Sequence, residues 1–232
     1  MPVLPWIAHL YTALGVVIAF YATILTFRQE YRSVFVLLVI ATAVDATDGF
    51  LARAARVKER LPKVDGAMMD NLIDYITYAF IPALVVWQAE LSAAPFAVCA
   101  AMLISSLYGF SHADAKVELG EDHFFTGFPS YWNIVVVYLY IAQLAPVVSA
   151  IILLTLVVLV FVPIRYLYPS RTSTWQLPTM VLGTMWAVLF AWMVWRLPAT
   201  DGPWMMWSLI YPAYYIALSL WLHAGSSTPP RS

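Results

Sequence analysis

The sequence predicts an all-α protein threaded through a membrane by about eight transmembrane helices. Three observations carry this. Of 232 residues, 62% are hydrophobic and 11% are charged, less than half the charge of an ordinary soluble domain. The apolar residues gather into eight stretches near the length that crosses a bilayer, about 20 residues. Lys and Arg are shared unevenly between the two sides those stretches define.

The elements follow in order. The first helix, 8–27, has no Lys or Arg ahead of it in MPVLPWIA and no small-residue cleavage site. It is therefore expected to be retained rather than removed as a secretory signal. The second, 33–54, carries Asp45 and Asp48 toward its end, and the third, 66–89, opens on Gly66 and carries Asp70 and Asp74. The fourth, 93–111, holds the lone cysteine, Cys99, which has no internal disulfide partner and reads as a small packed or lipid-facing residue. The fifth and sixth, 130–145 and 146–168, divide at Ala145-Pro146, because together they are too long for one crossing. The seventh and eighth, 177–196 and 204–223, precede the polar tail GSSTPPRS. No repeat or linker divides the chain, so residues 1–232 are expected to form a single domain.

Nine of the twelve basic residues fall on one side of this arrangement: Arg53, Arg56, Lys58, Arg60, Lys63, Lys116, Arg165, Arg171 and Arg231. Arg28, Arg32 and Arg196 fall on the other. The positive-inside rule then places both termini and the loop between helices 2 and 3 in the cytoplasm. A net charge of −1 gives no reason to expect a nucleic-acid partner. Tryptophans near helix ends, such as Trp87 and Trp204, fit the aromatic belt of a membrane protein.

The stretch VDATDGFLARAARVKERLPKVDGAMMDNLIDYITYAF, residues 44–80, places four aspartates in apolar surroundings. Helix 2 runs toward the cytoplasm and helix 3 runs back, so all four lie at one membrane face. The i,i+3 spacing of Asp45 and Asp48, and the i,i+4 spacing of Asp70 and Asp74, put each pair on one face of its helix. Four carboxylates in a partly dehydrated pocket raise one another's pKa unless compensated. One or two divalent cations with hard oxygen ligands are the simplest compensation; pairing with the basic loop Arg53–Lys63 is the plainer alternative. That alternative leaves Gly49 and Gly66 unexplained. Absent side chains there let a bulky group approach the backbone, Ala52 keeps the same wall low, and Arg53 can reach an anion. Close helix packing is the competing account of each glycine alone. Together these residues suggest a phosphate-bearing ligand.

The pattern Asp45-x2-Asp48-Gly49-x2-Ala52-Arg53, a spacer of residues 54–65, and Gly66-x3-Asp70-x3-Asp74 resembles the signature of the CDP-alcohol phosphotransferases, membrane enzymes of phospholipid biosynthesis. The spacer is longer than the common one and matches members that use choline. The segment HFFTGFPSYWN, 123–133, is similar to the corresponding stretch of those members. The resemblance runs from about His9 to Arg171 and is thin in the last two helices.

It implies two divalent cations, Mn2+ or Mg2+, held by Asp45, Asp48, Asp70 and Asp74, with Asp74 also the general base. It implies that Gly49, Ala52, Arg53 and Gly66 border the cytidine and phosphates of CDP-diacylglycerol. The implied reaction is phosphatidyl transfer to choline, giving phosphatidylcholine and CMP, in a homodimer of the bacterial cytoplasmic (inner) membrane. The position after the third aspartate, commonly small and polar in the family, is Asn71 here.

Choline's quaternary ammonium donates no N–H hydrogen bond, so its site needs π faces and a carboxylate. The aromatic-rich loop after helix 4 offers Phe125, Tyr131, Trp132 and Asp122 as candidates; anchoring at the membrane interface is the equally weighted alternative for its aromatics. His123, beside Asp122, offers a group to orient a carboxylate or a metal-bound water. Two other functions remain open at this level: another acceptor alcohol (serine, inositol or glycerol phosphate), or a cation transporter with an acidic intramembrane cluster.

Overall fold

The computed structural model describes residues 3–61, 63–112, 116–119, 122–169, 171–199 and 203–225, with the side chains of residues 58, 116–119 and 122 left aside. Helix α1 spans Val3–Phe27 and packs along α2, Tyr31–Ala54. A single helical turn, α3, Val57–Arg60, precedes α4, Gly66–Asp74, which continues through a π-helical segment, Tyr75–Phe80, into α5, Ile81–Gln88. Then come α6, Pro95–Ser111, α7, Trp132–Ala142, α8, Pro146–Phe161, α9, Gln176–Arg196, α10, Trp204–Ser208, and α11, Ile210–Gly225.

All eight predicted apolar stretches contain helix. Five are long and apolar enough to cross a membrane: Val3–Phe27, Tyr31–Ala54, Gly66–Gln88, Gln176–Arg196 and Trp204–Gly225. Three are shorter: Pro95–Ser111, Trp132–Ala142 and Pro146–Phe161. The 11 residues of α7 rise about 16 Å, roughly half of a ~30 Å hydrocarbon core. Apolar side chains such as Phe20, Ile104 and Leu177 remain exposed around the outside while Phe35, Met102, Leu153 and Val194 fill the centre, as expected of a membrane protein whose solvent is lipid.

Local chemistry explains several boundaries. Pro95 and Pro146 open α6 and α8, where a missing N–H costs nothing. The Asp65 carboxylate caps α4 by accepting from the Met68 N–H at 3.0 Å. Pro82 has no N–H to return to the Tyr78 carbonyl, and the wide π turn lies immediately before it. Thr26 and Thr42 return their hydroxyls to carbonyls one turn back, which removes polar donors from apolar surroundings.

The structure corrects the reading in three places. The predicted helix 146–168 ends at Phe161, and Arg165–Leu167 forms a strand, β3. The segment after α6 is not plain loop: Lys116–Leu119, β1, and Asp122–Thr126, β2, pair antiparallel, and β3 joins the other edge of β2. The small sheet adds to an otherwise helical protein. Gly127, at φ 77°, turns the chain out of β2, and its N–H donates to the Ile164 carbonyl at 2.9 Å. The predicted helix 130–145 is also trimmed, ending at Gln143 in a left-handed conformation.

Within the sequence spacer 54–65, Val57–Arg60 form the single turn α3. Ala55 and Val57 bury against Ala8 of α1, with Ala52 half-buried beside them. The added length thus ties the loop between the two aspartate pairs back onto the first helix.

Candidate active site

Asp45, Asp70 and Asp74 each present a carboxylate oxygen within 4.8 Å of the other two. Two come from α4 and one from α2, as the i,i+4 spacing and the antiparallel helices require. Asp48 lines the same cleft but turns toward α1: it is 8% exposed, and its Oδ2 accepts from the Thr12 hydroxyl at 2.7 Å. Thr12, Gly15, Ala41, Val44, Ile73 and Thr77 complete the walls around the acids. Gly15 is what allows α1 so near: a Cβ there would come within 2.5 Å of Ile73 Cγ2.

The donor set suits a divalent cation. Oxygens on opposite sides of Mg2+ lie about 4.2 Å apart, twice a bond of roughly 2.1 Å, and those around Ca2+ somewhat farther. Three carboxylate oxygens this close could hold one ion, and carboxylate oxygen is the ligand such hard cations prefer.

One further residue engages the cluster. The Tyr78 hydroxyl donates to Asp45 Oδ2 at 2.8 Å, fixing that carboxylate from the π-helical segment. Arg53, exposed at the end of α2, folds back so that its Nη1 lies 3.2 Å from where a Cβ on Gly49 would stand. Gly66 is approached in the same way by His9 of α1, whose Cε1 would lie 3.2 Å from an added Cβ. His9 is 8% exposed, and its Nε2 finds no hydrogen-bond partner among the described residues.

Of the aromatic candidates, Phe125 and Tyr131 come together, their ring centroids 6.4 Å apart. Tyr131 also lies 6.2 Å from Tyr78 and 6.4 Å from Tyr215. Phe125 stacks on Tyr168 at 4.5 Å. Trp132 goes elsewhere: it is fully buried in the helical core, donates its Nε1–H to Ser106 Oγ at 2.7 Å and packs edge-on against Phe128. The Asp122 side chain lies outside the described residues. The His123 carbonyl accepts from the Thr172 hydroxyl at 2.6 Å. Burial raises the pKa of the Tyr166 phenol in β3, which keeps it neutral.

Thr12, Tyr78, Tyr168 and Tyr215 escaped the sequence reading. Each reaches the region from an element far along the chain, and a threonine or tyrosine in an apolar helix carries no local signal of its partner.

Fold and cleft together define a helical membrane protein with an acidic cluster, shared between two helices, that could hold a metal ion. The chain belongs to the phosphatidylcholine synthase family. It is 35% identical over 225 residues to a phosphatidylcholine synthase of Legionella pneumophila, covering 93% of this chain and 87% of that protein. It is 34% identical over 190 residues to one of Borreliella burgdorferi, covering 81% and 80%, and 32% identical over 225 residues to one of Pseudomonas aeruginosa, covering 94% and 92%. No protein-family profile matches the chain.

Proposed function

We propose that the protein transfers the phosphatidyl group of CDP-diacylglycerol to choline, releasing CMP and forming phosphatidylcholine. The observation that carries this is 32–35% identity to phosphatidylcholine synthases of several bacteria across most of the chain. The convergence of Asp45, Asp70 and Asp74 supports it from the side of chemistry.

Asp45, Asp48, Asp70 and Asp74 would hold two divalent cations, Mn2+ or Mg2+. Bound there, such ions would neutralise the diphosphate and stabilise the departing CMP phosphate. Asp74 accepts the proton of the choline hydroxyl. The freed oxygen attacks the phosphorus on the diacylglycerol side, a new P–O bond forms, and the bond to the CMP oxygen breaks. Gly49, Ala52, Arg53 and Gly66 would border the cytidine and phosphates, with Arg53 meeting an anionic oxygen there. Thr12 and Tyr78 orient the Asp48 and Asp45 carboxylates. Phe125 and Tyr131 offer π faces to the ammonium.

The same reading has the chain cross the bacterial inner membrane eight times as a single domain, with both termini and the acidic cleft in the cytoplasm, and act as a homodimer. The bias of basic residues supports that orientation. The cleft then meets the lipid substrate from the leaflet and choline from the cytoplasm.

The test is an assay of purified protein in detergent with CDP-diacylglycerol, Mn2+ or Mg2+, and labelled choline, serine, inositol or glycerol phosphate in turn. Phosphatidylcholine from choline is the expected result. Lipid product from none of the four overturns the enzyme reading, and product from serine but not choline overturns the assignment of the alcohol.

A further inference from the structure

Tyr131 is the hub of a ring cluster drawn from distant parts of the chain. Tyr78 comes from the π-helical segment, Phe125 from β2 and Tyr215 from α11. Their planes incline to that of Tyr131 by 48°, 83° and 59°. Rings so tilted leave π faces uncovered by parallel partners.

The outer members of the cluster are backed by β3. Tyr168, following the strand, stacks on Phe125 at an interplanar angle of 25°, and Tyr166 lies parallel to Tyr215 at 16°. One face of Phe125 and one face of Tyr215 are thereby committed to neighbours. Arg171 already rests over Tyr168 at 5.7 Å, so this ring system holds a cation at its outer edge. Phe125, Tyr131 and Tyr215 are half-buried, and Tyr78 is 7% exposed.

The polar ends of two of these rings are engaged elsewhere. Tyr78 donates to Asp45, and Tyr215 donates to the Leu167 carbonyl at 3.0 Å. The two donated protons fix these rings at set angles to Tyr131; their faces give no lone pairs to a primary ammonium, which must satisfy three N–H donors. A quaternary ammonium has no such donors and is held by faces alone. Through Tyr78 the ring cluster also touches the carboxylate Asp45, which supplies negative charge close by.

We infer that Tyr78, Phe125, Tyr131 and Tyr215 form the binding site for the quaternary ammonium of the acceptor alcohol, with Tyr78 and Tyr215 as specificity-determining residues. This rests on the proposed phosphatidyl transfer to choline. The last helix thereby joins the substrate site, and Trp132, sealed in the core, does not. The ammonium rests on the rings while the alcohol oxygen points to the acidic cluster across Tyr78.

The experiment uses the full chain in detergent, as wild type, Tyr215→Leu, Tyr215→Phe and Phe125→Leu. It measures KM for choline, KM for CDP-diacylglycerol, and inhibition by 3,3-dimethylbutan-1-ol, a neutral isostere of choline. Loss of one π face in either Leu variant is expected to raise the choline KM about tenfold, with the CDP-diacylglycerol KM unchanged. Tyr215→Phe keeps the ring and should stay within about twofold of wild type. The wild-type preference for choline over its neutral isostere should narrow in the Leu variants. Phe125→Leu carries the test if Tyr215→Leu does not fold. An unchanged choline KM in a folded Leu variant, equal shifts for both substrates, or an equal loss in Tyr215→Phe overturns the inference while the phosphatidyl-transfer reading stands. A wild-type protein that makes no phosphatidylcholine overturns both.

Discussion

Thr12 on α1 donates its hydroxyl to Oδ2 of Asp48 on α2 at 2.7 Å, and both residues line the acidic cleft. The bond spans 36 positions in sequence and makes the first helix part of the wall of that cleft. Replacing Thr12 with Val keeps the shape and removes the donor, leaving a buried carboxylate oxygen short of a partner at a cost of about 1–3 kcal/mol. Thr12→Val is expected to raise the Mn2+ concentration needed for half-maximal thermal stabilisation of the protein, and Thr12→Ser should restore it. Unchanged metal dependence in Thr12→Val would show that the bond is structural only.

Asp74 and Asp45 should separate in their effects. With Asp74 the general base, Asp74→Asn is expected to lower turnover by about 10²–10⁴ while retaining most CDP-diacylglycerol binding. Asp45→Asn should weaken that binding more. Direct binding measurements on both variants decide it, and equal loss of binding counts against a distinct base role.

Removal of the Tyr78 hydroxyl tests the other strut. Tyr78→Phe keeps the ring next to Tyr131 but loses the 2.8 Å bond to Asp45, a hydrogen bond to a charged group worth about 1.5–3 kcal/mol. The expected outcome is a raised metal requirement, read by titration of activity and of melting temperature, with the choline KM little changed. A raised choline KM at saturating metal would instead mean that the hydroxyl itself touches the alcohol.

Gly15→Ala places a methyl group against Ile73 at the junction of α1 and α4. Overpacking of this kind costs about 1–3 kcal/mol. A lower melting temperature in detergent is expected, with partial recovery in the double variant Gly15→Ala, Ile73→Leu, which keeps the side-chain volume and removes the Cγ2 methyl that meets the new Cβ. No recovery in the double variant would place the strain elsewhere.

Hydropathy made the helices legible, because a membrane demands long apolar runs and punishes interruptions. Residue spacing made the aspartate hairpin legible, because i,i+3 and i,i+4 pairs share a face whatever surrounds them. Other parts were hidden for physical reasons. The strand Arg165–Leu167 lies within a run apolar enough to read as helix, and only its pairing with Phe124–Thr126 distinguishes it. Spacer 54–65 was read by length, whereas its packing through Ala55 and Val57 onto Ala8 depends on tertiary contact. Thr12, Tyr78 and Tyr215 act through partners dozens of positions away, so no window along the chain contains both ends of the interaction.

The wide turn at Tyr75–Phe80 governs alignment. In a regular helix, residues four apart drift around the axis by about 40° at each step, since 3.6 residues complete a turn. Asp74 is displaced in that sense from Asp70, and a regular helix would carry Tyr78 farther still. A turn that takes more residues to close draws the drift back. Asp70, Asp74 and Tyr78 are thus kept in one column facing Asp45, and Pro82, one turn beyond, holds the column in phase. The angle from which the ring cluster meets the acids thus follows from the width of a single helical turn.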